Sequence, residues 1–278
     1  MNFFKEIENI IVANNVVEKL TLFKEFYTVY QKNNSYHDDF FSMLPTDNYP
    51  KLFQEPSYSN FCQVVPPQNV PKRRNLTTLQ GQVIFVHAVA HIEYSAIDLA
   101  LDSAYRFPNM SKSYYDDWLE VASDEIRHFE MLETLLLELG SYYGEIEVHN
   151  ALFEASQRTQ SFIDRMAVVP RYLEANGLDA TPEILEKLKR LPKSIMIDKI
   201  SSALTIILEE EVDHVLKGDT WFEYACVQEK KDKSVYFDII DKYYPKTFEK
   251  KRSLNISGRK DAGFSCSELN RMVNKKVC

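Results

Sequence analysis

The chain has 278 residues with 45% hydrophobic and 13% aromatic side chains, which excludes general disorder and supports a substantial core. Its few glycines, 7, and its 11 prolines speak against an all-β protein full of tight turns. The net charge of −8 is uneven: from Lys246 to Cys278 nine basic and three acidic residues give +6, so the remainder carries −14. Four cysteines, Cys62, Cys226, Cys266 and Cys278, show no paired spacing and read as reduced thiols of a cytoplasmic protein. The N-terminus, with acids at Glu6 and Glu8, is not a secretory signal, and no apolar run is expected to span a bilayer.

In chain order, residues 1–32 read as a helix, with Ile7, Ile10, Ile11, Val17, Leu20, Phe23 and Phe26 on one stripe. From Asn33 to Arg74 the prolines 45, 50, 56, 66, 67 and 71 predict an extended strap, held down by aromatics such as Tyr36, Phe41, Tyr49, Phe53, Tyr58 and Phe61. Core helices are expected over about 76–105, 111–139, 151–176 and 193–229. The second is capped by Ser111 or Ser113 and stops at Gly140. The third bends at Pro170 and stops at Gly177, after which Thr181-Pro182-Glu183 opens a short helix with Thr181 as cap. Asp238–Tyr244 adds a turn. The expected organisation is a helix and strap over 1–75, a bundle over 76–245 and a basic tail over 246–278, the tail being a solvated arm or a contact for an anionic partner.

Two short motifs organise this frame. Glu125-x-x-His128 and Glu211-x-x-His214 each place a carboxylate and an imidazole on one helix face. Glu93 and Glu174 precede them in turn, so the order is Glu, Glu-x-x-His, Glu, Glu-x-x-His. In ferritin-like four-helix bundles that set holds two iron or manganese ions. A single Glu-x-x-His is a weak signal, but Glu93, Glu125 and Glu211 each sit on an apolar stripe, where a buried carboxylate is costly unless paired or metal-bound. Glu174 has a broken stripe, with Pro170 and Arg171 on its inner face. It reads as a ligand or as a salt-bridge partner of Arg171. His87, His91 and His149 read as ordinary hydrogen-bonded histidines. Asp124 and Asp213 read as acceptors for ligand histidines or as surface acids, and Tyr94, Trp118 and Phe129 as core.

The runs His87 to Glu93, Ala96 to Ala100, Ser123 to Phe129, Val169 to Glu174, Gly177 to Pro182 and Glu211 to His214 resemble an uncharacterised ferritin-like family, domain of unknown function 455. Val70 to Arg74 and Ala262-Gly263-Phe264 extend the likeness, which spans about residues 60–270. The resemblance implies an all-α, ferritin-like bundle and carries metal ligation onto Glu93, Glu125, His128, Glu174, Glu211 and His214. More distantly it looks like the MiaE-type non-haem di-iron tRNA hydroxylases, an analogy of fold and ligand order. The function expected is an O₂-dependent hydroxylase with two metal ions, iron first and manganese second, an electron donor, and an anionic substrate such as RNA. A ferroxidase and a metal-stabilised scaffold are the competing readings.

Overall fold

The computed structural model describes residues 2–33, 36, 40–41, 50–249 and 253–278. Among these the chain is all-helical, and the strand pairing present is a single parallel bridge between Val64 and Val148. Contacts divide the chain into two compact units, Met1–Glu154 and Ala155–Cys278, a division that falls inside the stretch 76–245 read from the sequence as one bundle.

In the first unit the N-terminal segment is two helices instead of one, α1 (Phe3–Ile11) and α2 (Val16–Lys32). Asn15 divides them: its side chain accepts the Glu18 amide at 2.9 Å, a capping bond that competes with continued helix. Helix α1 buries Phe3, Phe4, Ile7, Ile10 and Ile11. In the proline segment, Pro45 and Tyr49 lie outside the described residues; Ser57–Asn60 and Pro67–Asn69 are short 3₁₀ turns. The Phe53 ring lies 5.5 Å from Tyr105 and the Phe61 ring 5.7 Å from Tyr94.

Helices α3 (Leu79–Arg106) and α4 (Lys112–Glu138) form the unit's antiparallel centre. Tyr114 donates to the Ser103 carbonyl at 2.8 Å, and further along Tyr94 meets Phe129 at 5.3 Å, so contacts descend one helix as they ascend the other. Thr78 caps α3 by accepting the Gly81 amide at 3.1 Å, and Gly140, at φ +76°, turns the chain after α4. Contrary to the sequence reading, α3 is long and apolar enough to cross a membrane by length and composition. However, 78% of its apolar window is buried inside the protein. It is a core helix, with Glu93 at its middle.

The second unit contains α5 (Ala151–Arg158, which begins just before the boundary), α6 (Phe162–Val168), a π-helical segment (Val169–Glu174), α7 (Ala175–Leu188) and α8 (Ile195–Gln228). Three smaller helices follow: α9 (Val235–Tyr243), α10 (Ile256–Asp261) and α11 (Cys266–Val273). The helix expected over 151–176 is interrupted, because Ser161 caps a new start by accepting the Asp164 amide at 3.2 Å. The expected stop at Gly177 and the Thr181 cap are absent. Helix α7 runs through Gly177 and Pro182. A proline within a helix leaves the carbonyl four residues earlier without its amide. Here that carbonyl, Leu178, accepts the Asn255 side-chain amide at 3.2 Å, so a distant residue repairs the gap.

The C-terminal segment is not a solvated arm over its helices. Arg259 is 1% exposed, with its Nη2 donating to Asp179 at 2.7 Å and to the Ala175 carbonyl at 3.0 Å. Phe264, Leu269 and Met272 are buried beside it. Lys250, Lys251 and Arg252 lie outside the described residues. Cys266 and Cys278 form a disulfide, with Cα atoms 5.7 Å apart, which corrects the reading of both as thiols. A left-handed Asn274 (φ 51°) ends α11, and Asn270 receives the Val277 amide at 2.7 Å, so the chain returns to its own helix. Cys62 and Cys226 are buried free thiols.

Candidate metal centre

In the first unit Glu93 projects from α3, and Glu125 and His128 from one face of α4. Each offers a ligand atom, and the three atoms lie within 4.8 Å of one another. His128 Nδ1 is 3.2 Å from Glu93 Oε2 and 3.5 Å from Glu125 Oε2. Glu125 and His128 are fully buried and Glu93 is 4% exposed. Burial first, and the Glu125 charge second, push the Glu93 carboxyl above the usual carboxylate range. Burial opposes charge on His128, but the carboxylates of Glu125 and Glu93 outweigh it and hold the ring proton above its ordinary range. Without metal, then, the His128 imidazolium lies against two crowded carboxyls, of which Glu93 is the one pushed toward holding a proton. A dication suits the same spot, since carboxylate oxygen and imidazole nitrogen are ligands for iron and manganese.

In the second unit Glu211 and His214 share a face of α8, with His214 Nδ1 3.9 Å from Glu211 Oε1 and the histidine fully buried. Glu174 closes the π-helical segment. Such wide turns are rare, and they occur often at functional sites. A proline causes this one: Pro170 has no amide to continue the α pattern. The wide turn is admitted by Gly218, where an added Cβ would sit 2.3 Å from Pro170 Cβ. Pro170, one turn before Glu174, thus packs against Gly218, one turn after His214. Arg171 is not the partner that the sequence allowed for Glu174. Its guanidinium pairs with Asp219 and with Glu268 (2.7 Å) and lies between the Tyr236 and Phe264 rings at 4.5 Å each.

The remaining histidines are held by the scaffold. His87 Nε2 accepts the Gly144 and Ile146 amides at 2.9 and 3.3 Å. His91 lies between the Tyr143 hydroxyl and the His149 carbonyl, each at 2.8 Å, which makes Nε2 the donor and Nδ1 the acceptor. Burial lowers both rings to about 4. His149 accepts the Ala151 amide at 3.3 Å. Asp124 pairs with Arg127 at 2.6 Å, and Asp213 pairs with Lys217 on the same helix face. Trp118, Phe129 and Tyr94 are core side chains; Tyr94 packs against Phe129 at 5.3 Å and Tyr143 at 5.2 Å. The sequence reading did not foresee the Arg171 clamp, whose acids lie 48 and 97 residues away. The signal available was an arginine directly after a mid-helix proline.

Residues 12–270 match the family described as "Protein of unknown function (DUF455)". The chain belongs to that family. An uncharacterised protein of Haemophilus influenzae is 34% identical over 96% of this chain and 92% of its own. No solved structure matches. The family's description assigns no activity; the buried Glu93–Glu125–His128 group could hold a metal ion.

Proposed function

We propose that this family member is a non-haem dinuclear metal oxidoreductase of the ferritin-like class, an O₂-dependent hydroxylase. The observation that carries the reading is the buried, mutually close Glu93, Glu125 and His128. Two buried carboxyls side by side are too costly to keep for packing alone. Glu174, Glu211 and His214 repeat the same ligand types in the same chain order, so two metal ions per chain is the expected stoichiometry. Iron, or manganese in its place, supplies the redox chemistry with O₂ when bound.

The chain's own groups hold and shield that metal. Val121, Ala122, Ile126 and Phe129 flank the α4 ligands and exclude bulk water. Glu93, with its carboxyl pushed upward by burial and by Glu125, is able to keep a proton at neutrality and release it when a cation arrives. The substrate class is anionic and nucleotide-bearing, tRNA being one form, because an acidic protein carries exposed basic residues at Lys72, Arg73 and Arg74 and, towards its C-terminus, at Lys246, Lys260, Lys275 and Lys276.

Protein purified without O₂ should contain iron or manganese by elemental analysis. Adding O₂ and a reductant to reduced, metal-loaded protein should consume O₂. Bound metal without O₂ consumption would replace the oxygenase reading by a metal-stabilised scaffold. A large hollow assembly that accumulates iron would replace it by storage.

A further inference from the structure

The first unit contains a second chemical environment, apart from the metal ligands. A cleft of about 440 Å³ lies between the strap and the outer side of α3. Its rim carries Lys72, Arg73 and Arg74, all exposed. One wall is apolar, formed by Val70, Ile84, Ala88 and Ile92, the last 41% exposed. The opposite wall is the 146–149 backbone, held in place by the Val64–Val148 bridge and by the amide bond from Ile146 to His87.

The charge balance of this lining is unusual for the molecule. Lys72, Arg73 and Arg74 against Glu147 gives +2, on a chain whose net charge is −8. Among the described residues no carboxylate pairs with the three basic side chains. The Arg73 charge, after burial, helps hold the His149 ring below its usual range, which places that guanidinium's field over the cleft. His149 accepts the Ala151 amide at Nδ1, so its proton sits on Nε2, a neutral donor. Paired guanidinium forks and a neutral imidazole N–H match phosphate oxygens. The volume is that of a small-molecule site, and the exposed Ile92 wall suits the flat body of a base.

We propose that this cleft binds a phosphate ester carrying a planar apolar body, that is, a nucleotide, either free or as one residue of a strand. The inference deepens the proposed function by locating its anionic substrate in the first unit and not in the C-terminal segment. The rigid prolines 66, 67 and 71 keep the strap in position for this.

The test is calorimetric titration of the full chain with inorganic phosphate, adenosine 5′-monophosphate and a short single-stranded oligoribonucleotide. All three should bind at low ionic strength and weaken as salt rises. Arg73→Ala with Arg74→Ala should weaken each by about tenfold or more, the loss expected for charge-assisted hydrogen bonds. Lys275→Ala with Lys276→Ala should change nothing. Ile92→Asp should weaken the monophosphate more than inorganic phosphate. A strand that binds far more tightly than the monophosphate identifies the source as RNA; equal affinities identify a free nucleotide. Circular dichroism confirms that each variant is folded. Glu125→Ala protein should bind the three probes as the parent does, so a failed metal assignment leaves the cleft standing. Absence of binding at low salt, equal losses in both basic double variants, or loss of binding in Glu125→Ala would overturn the proposal.

Discussion

The two units carry the same Glu, Glu-x-x-His sequence pattern on differently built helix pairs. In the first, α3 and α4 are uninterrupted α-helices, and Glu93, Glu125 and His128 meet through ordinary helical spacing. In the second, the strand of helix facing α8 is broken at Ser161 and widened over Val169–Glu174, and Glu174 depends on that widening. Regular helices deliver ligands by sequence spacing alone, whereas a π turn must be held by its surroundings. Here Gly218, Arg171 and the C-terminal helices do the holding. The second half-set should therefore be the one that responds to changes far from the ligands.

The largest expected effect separates the halves directly. Glu125→Ala and Glu211→Ala should each remove about half or more of the bound metal while leaving the helical circular dichroism intact, because a ligand bond is lost and most apolar burial stays. Unchanged metal content in both variants would refute the ligand assignment. Next, Arg171→Ala should destabilise by about 3 kcal/mol or more, because it leaves Glu268 buried without its cation and Asp219 with Lys233 alone. Metal in the second half-set should fall with it, while the first half-set keeps its own. An urea midpoint close to the parent's would show that the clamp is dispensable.

Acid should act through the first unit. His87 is 1% exposed, and its folded value is lowered to about 4 from 6.5. The unfolded chain therefore takes up the proton first, and stability falls as pH drops from 6.5 toward 4, levelling below. The 2.5-unit difference corresponds to about 3 kcal/mol. His91 is lowered to the same value, so His87→Gln should remove about half of that fall in stability, measured by urea denaturation at pH 7 and 4.5. A parallel profile in the variant would show that other groups carry the acid response. The smallest effect is Gly218→Ala, whose Cβ would overlap Pro170 and cost about 1–3 kcal/mol. Its value lies in the pattern: metal affinity in the second half-set should fall with stability. Loss of stability without loss of metal would separate the π turn from ligation.

The sequence by itself determined the long helices and the ligand candidates. Apolar periodicity, Ser and Thr caps and Glu-x-x-His spacing are local, so α3, α4 and α8 fall within a few residues of their expected bounds, with Glu93, Glu125 and His128 on inward faces. Tertiary structure decided whatever depended on a partner distant in the chain. Gly177 and Pro182 read as a stop and a start, yet Asn255 supplies the hydrogen bond that lets α7 pass through both. The basic C-terminal segment read as solvated, yet Asp179 draws Arg259 inside, and the turn at Asn274 brings Cys278 to Cys266. Local propensities amount to tenths of a kcal/mol per residue, so a single satisfied buried polar group outweighs several of them.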